Sequence, residues 1–103
     1  MTSGYTLNNF RMLPISSKEE LTSAQFSDND VLDRPEDIRV RGTNIDKAIA
    51  LGKSKKTFTC IILKAGDKLF KIESIVIGLD KNFAFLKNGM KIPLLAIYSV
   101  DFL

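Results

Sequence analysis

Apolar and polar positions follow two different periods along this chain, and the change falls near residue 56. Before it, Ile45, Ala48 and Ile49 share one face at helical spacing. Thr43 with Asp46 three residues later approximates a capping box, and Gly52 supplies a left-handed terminator. A short helix is therefore expected over 43–52, packed on the end of a sheet. After Lys53-Ser54-Lys55-Lys56 the pattern becomes that of strands. Thr57 to Leu63 is β-branched and aromatic, with Phe58, Cys60 and Ile62 alternating against Thr57, Thr59 and Ile61.

Ala65-Gly66-Asp67 reads as a turn, followed by a long strand from Lys68 to about Leu79. Phe70 and Ile72 point inward at first, and the pattern then runs continuously apolar through Ile75, Val76 and Ile77. That loss of phase predicts a bulge or bend near Ser74, or burial of both faces. A third strand is expected over Phe83 to Lys87. It ends at Asn88-Gly89, the best hairpin signal in the chain, where a type I′ turn needs two positive φ angles. Met90 to Ile92 forms a short fourth strand, stopped at Pro93, which has no N–H for a ladder. Pro93 to Ala96 makes one tight 3₁₀-like turn, and Ile97 to Phe102 is the last strand. Residues 1–37 read instead as an acidic, largely irregular extension, interrupted by Pro14 and Pro35. Ser17 with Glu20 can cap a weak helix reaching about Phe26, and Phe10, Leu13, Ile15 and Phe26 could dock onto the domain or onto a partner.

Charge sharpens this division. Residues 1–37 carry three basic against seven acidic side chains, a balance of −4. Residues 38–103 carry twelve basic against five acidic, a balance of +7. The 38–103 domain is thus suited to an anionic partner. Lys53, Lys55, Lys56, Lys64, Lys68 and Lys71 all belong to the first hairpin or its approach. Gathered on one side, they would form a phosphate-neutralising patch. Phe58, Phe70, Phe83 and Phe85 are assigned to the core, which leaves no obvious exposed aromatic to support base stacking, and binding is expected to be phosphate-led, weakly sequence-selective and salt-sensitive.

Composition argues against catalysis. The chain has no histidine, and Cys60 stands alone, mid-strand and apart from any disulfide, as a core residue. Cys/His nucleophilic chemistry and nearly all zinc ligand sets are excluded on residue type. Asp67, Asp80 and Asp101 lie at turns or strand ends, where Asp is common, and the glycines match no phosphate-cradling spacing. A non-enzymatic protein without cofactor or metal is expected. No apolar run approaches the roughly 20 residues that span a bilayer. The polar start lacks signal-peptide features, so a cytoplasmic protein with no membrane partner is expected.

The order helix, strand, long bent strand, strand, short strand, tight turn, strand describes a mainly β fold. It is a small five-stranded antiparallel SH3-like barrel preceded by one short α-helix, spanning about residues 44–103. Ile72-Glu73-Ser74, Asp80 to Leu86 and Ala96-Ile97-Tyr98-Ser99-Val100 are similar in character and order to segments of the Sm family, which includes the Hfq-like RNA chaperones of bacteria. The local similarity runs over Lys68 to Val100. The stretch from Ala50-Leu51-Gly52 to Ile92-Pro93 also resembles short uncharacterised bacterial proteins, which adds no activity. The Sm resemblance implies RNA, or an RNA–protein assembly, as partner, and it assigns an RNA contact to Asp80. Sm proteins carry a second RNA-contact loop between their last two strands; here that loop is Pro93-Leu94-Leu95, with none of its side chains. The resemblance also implies assembly of copies through the last strands. The rival reading is a protein-interaction or self-assembly module that uses exposed β edges and the N-terminal arm.

Overall fold

The computed structural model describes residues 13–102. Element order is α1 (Lys18–Ser23), α2 (Pro35–Lys55), β1 (Thr59–Ala65), β2 (Lys68–Ser74), β3 (Val76–Leu79), β4 (Phe83–Leu86), β5 (Lys91–Pro93), a 3₁₀ turn (Leu94–Ala96) and β6 (Ile97–Phe102). The fold is mainly β with one main helix, as the periodicity predicts. It contains six strands in two antiparallel three-stranded sheets, β2-β1-β6 and β3-β4-β5, in place of a closed five-stranded barrel. The extra strand arises where the expected long strand breaks at Ile75. Up to Ser74 the chain pairs with β1, and from Val76 it pairs with β4. The barrel is left open because β5 is only three residues long and ends at Pro93, and the 3₁₀ turn then carries the chain away to β1.

The helix is twice as long as the pattern suggests. Pro35 opens it, pre-set in φ and with no N–H to orphan; Glu36 and Asp37 lie in its first turn, Lys53 and Lys55 in its last, matching the macrodipole. Thr43 is therefore not a cap: it sits mid-helix, its hydroxyl donating to Arg39 O at 3.2 Å. Nor does Gly52 end the helix. Lys56 does, at φ 52°, with its N–H reaching Gly52 O at 3.2 Å. The inward stripe of α2 is Arg41, Ile45 and Ala48, and the helix packs against β3 and β6.

Two of the three hairpin turns, β1–β2 and β4–β5, use a left-handed glycine. At the β1–β2 turn Gly66 has φ 61° and Ala65 pairs with Lys68, a two-residue link with glycine in its first place. At the β4–β5 turn only Gly89 is left-handed, at φ 91°, and Asn88 is not. Gly89 N–H donates to Leu86 O and Leu86 N–H to Met90 O, at 3.0 and 2.8 Å. The hairpin stands where Asn88-Gly89 places it, but it is a three-residue link closed by a left-handed glycine and not a type I′ turn.

One core cluster fills the space between the sheets and under α2: Ile45, Ala48, Ile61, Leu63, Phe70, Ile72, Val76, Ala84, Leu86, Ile92, Ile97 and Val100 are among its members. A second, smaller cluster lies on the far side of β1, where Cys60 and Ile62 pack with Leu13, Leu69 and Tyr98. The β2-β1-β6 sheet is thus buried on both faces, which explains the unbroken apolar run in β1. Cys60 is a core residue, as expected, and burial pushes its thiol pKa up.

Residues 13–34 lie against the domain. Ser17 and Glu20 form the full capping box of α1, at 3.1 and 2.8 Å. Leu21 enters the main core, Phe26 meets the Phe70 ring edge-on at 6.1 Å between centroids, and Leu13 covers the second cluster. Ile15 stays exposed, and Phe10 lies outside the described residues. Two polar latches hold this arm. Ser16 pairs with the outer edge of β2 through Lys71, its N–H donating to Lys71 O at 2.9 Å and its Oγ accepting from Lys71 N–H at 3.1 Å. Asp30 receives both terminal nitrogens of Arg41 at 2.7 Å.

Candidate nucleic-acid interface

The structure divides the sequence-predicted lysines among four places. Lys53, Lys55 and Lys56 crowd the end of α2, all exposed. Lys53 and Lys55 favour the helix C-terminus through its dipole. Lys56 is different, since a side chain at left-handed φ costs free energy that glycine would avoid. Lys64 stands at the far end of β1, five residues beyond Thr59 and so roughly 17 Å away along the strand. That is about two screening lengths at physiological salt, too far for the two groups to act as one patch.

The three hairpin lysines also separate from one another. Lys64 lies on the outer face of the sheet, its ammonium 5.6 Å from the Tyr98 ring centre. Lys68 shares the inner face with Phe70, 5.2 Å over that ring and beside α1. Lys71 is buried. Its Nζ donates to Leu13 O at 3.2 Å and lies 3.7 Å from Glu73 Oε2, so it ties down the arm.

Asp80 sits at the β3–β4 turn. Its Oδ1 accepts the N–H groups of Asn82 and Phe83, both at 2.8 Å, while its own N–H donates to Phe83 O at 2.9 Å. Those two backbone donors hold its carboxyl below the usual range. The geometry makes Asp80, itself exposed, the organiser of the turn.

Two aromatic placements differ from expectation. Phe58 is 51% exposed, next to the α2 lysines: it falls in the link between α2 and β1, one residue before the strand begins. Phe83 and Phe85 are half-buried and belong to neither core cluster. In β4 the alternation turns Ala84 and Leu86 inward, so the two rings share the outer face. Phe70 alone of the four is a buried core residue. The alternation of Phe83-Ala84-Phe85-Leu86 was visible in sequence; which half faced in was not, since either pair is apolar.

Among the described residues the ion pairs are Arg34 with Glu36, Arg41 with Asp30 and Lys71 with Glu73. Lys53, Lys55, Lys56, Lys81, Lys87 and Lys91 are exposed and meet no carboxylate there. Among the same residues no group of three or more cysteine, aspartate and glutamate side chains could hold a metal ion, and no helix is long and apolar enough to cross a membrane. In comparisons with known proteins, the chain matches no family model, no curated protein and no solved structure.

Proposed function

We propose that the protein is a non-catalytic module that binds RNA, free or within an RNA–protein assembly, through its exposed lysines. The observation that carries this reading is the end of α2. There three lysines within about one turn meet no carboxylate among the described residues, and one of them occupies a left-handed position where glycine is the cheaper choice. The order of the strands supports an Sm-like kinship, and the two-sheet arrangement is compatible with a small barrel left open. The RNA contact does not follow the Sm pattern, because Asp80 is occupied by its own turn and Pro93-Leu94-Leu95 carries no polar side chain.

The test is fluorescence anisotropy of a labelled single-stranded RNA at several salt concentrations. Replacing Lys53, Lys55 and Lys56 together by Ala is expected to weaken binding about tenfold at low salt. The slope of log affinity against log salt should fall by about two, near 0.7 per lost phosphate contact. No binding by the wild type at low salt would refute the reading.

A second reading rests on β3, an edge strand whose Ile77 and Leu79 are 52% and 43% exposed. Such an edge can accept a strand from another chain. The β2 edge is partly occupied by Ser16, Ile97 O on β6 accepts from Arg41 at 3.0 Å, and β5 is only three residues long and ends at Pro93, which leaves β3 the more open edge. On this reading the wild type sediments as larger than the 11.5 kDa monomer, and Ile77→Lys restores the monomer. A monomeric wild type at high concentration would exclude it.

A further inference from the structure

We infer that the outer face of the β3-β4-β5 sheet is a stacking platform for unpaired nucleic-acid bases, with Phe83 and Phe85 as its two rings; this rests on the RNA-binding reading and adds to it where bases would sit. The two rings stand at alternate positions of the central strand, about 7 Å apart along it and on the same side. Opposite Phe85 on β3 is Gly78, and a Cβ built there meets nothing within 4 Å, so the space beside that ring is open. On the other flank Lys91 pairs with Phe85 in register, and its ammonium lies 4.4 Å over the Phe83 ring.

Two features select the occupant. Phe83 and Phe85 are half-buried, belong to neither core cluster, and lie on a sheet that, among the described residues, α2 packs against at β3; their partly open ring faces are apolar surface that a flat ligand can cover. From Val76 to Ala96 the only acidic side chain is Asp80, against Lys81, Lys87 and Lys91. A ligand must therefore bring flat apolar faces together with negative charge, which is the chemistry of a single-stranded nucleic acid. Bases stack on aromatic rings with little sequence preference while lysines neutralise the phosphates. Lys91 is a mobile cover: as a base takes the Phe83 ring, its ammonium swings to the adjoining phosphate.

The experiment compares a labelled oligouridylate with an abasic phosphodiester of the same length, in anisotropy titrations of the full chain. The wild type should bind the base-bearing strand about tenfold more tightly than the abasic one. Phe83→Leu/Phe85→Leu keeps the sheet apolar but removes both rings, and should erase that preference while leaving abasic binding unchanged. Gly78→Val, which suits a strand and fills the space beside Phe85, should reduce the preference in the same direction; melting curves confirm that each variant folds. Equal binding of the two ligands by the wild type, or a preference that survives in the double variant, overturns the platform and leaves phosphate-led binding standing. No binding of either ligand overturns the RNA reading itself. Self-association lost in the double variant, with base preference intact, would assign the face to protein contact and likewise overturn the inference.

Discussion

Asp30→Ala is expected to destabilise the protein by about 3 kcal/mol, more than any other single replacement of a charged side chain here. Arg41 is 8% exposed and Asp30 20%. Removing the carboxylate strands a buried guanidinium with only Ile97 O as acceptor, and it also frees Leu32 N–H, which now donates to Asp30 Oδ1 at 2.9 Å. Removing the other partner is milder. Arg41→Met takes the buried charge away and leaves a carboxylate near enough to water to hydrate, so about 1 kcal/mol is expected. In the Asp30→Ala background, Arg41→Met should therefore recover much of the loss, a sign reversal that a urea-melt double-mutant cycle detects directly. The pH dependence follows from the same contact. Arg41's hydrogen bonds hold the Asp30 carboxyl below its ordinary value, against the opposing effect of burial. A depressed folded pKa means the stabilisation is complete above the unfolded value, roughly 4, and is lost as pH falls through the lower folded value. Glu20 and Asp80 are shifted the same way by backbone donors, so Asp30→Asn should flatten the acid limb of the stability curve in part. An Asp30→Ala protein as stable as wild type, with an unchanged acid limb, would show that the arm is not held at this point.

The ion pair also marks where sequence reasoning stopped. The inward stripe of α2 is interrupted by Arg41 at a buried position, so from sequence the helix reads as beginning at Thr43, and Gly52 reads as its terminator although it lies inside the helix close to β3. Only the guanidinium's partners make Arg41 an inward residue, and both are distant in sequence: Asp30 eleven residues before it and Ile97 fifty-six after. The β half was far more legible. Phe70 and Ile72 face the core, the chain breaks at Ile75, and the 3₁₀ turn follows Pro93, because alternation and proline geometry act locally. Hairpin position was readable from Asn88-Gly89, whereas turn type was not, since a left-handed glycine serves both kinds of link. The candidate site was legible only as composition. Lysine count predicts an anionic partner, but the face each lysine takes depends on strand phase: Lys64 and Lys68, four residues apart, point to opposite faces across the turn. Lys71 is buried because the arm crosses it, and nothing near it in sequence announces that.

Two glycines of α2 should respond oppositely to the same change. Gly42→Ala is expected to raise stability by about 0.5–1 kcal/mol: the position is helical and exposed, a Cβ meets nothing within 4 Å, and alanine lowers the entropy lost on folding. Gly52→Ala gains the same local preference but places its Cβ 2.8 Å from Ile75 Cγ2 and 3.1 Å from Val76 O. Ile75 is buried at the break between β2 and β3, and Val76 O is backbone, so neither can yield without moving the strand. The overpacking outweighs the propensity, and a net loss of about 2 kcal/mol follows. For a domain of this size the two changes should move the melting temperature by about +5 °C and −10 °C. Because Lys53, Lys55 and Lys56 lie within four residues of this contact, a shift of α2 away from β3 also displaces them. Gly52→Ala should then weaken RNA binding under conditions where the variant is still fully folded, and Gly42→Ala should leave it unchanged. Equal stabilisation by both alanines would mean that α2 does not press on the strand at Gly52, and the geometry of the lysine cluster would no longer be set by that contact.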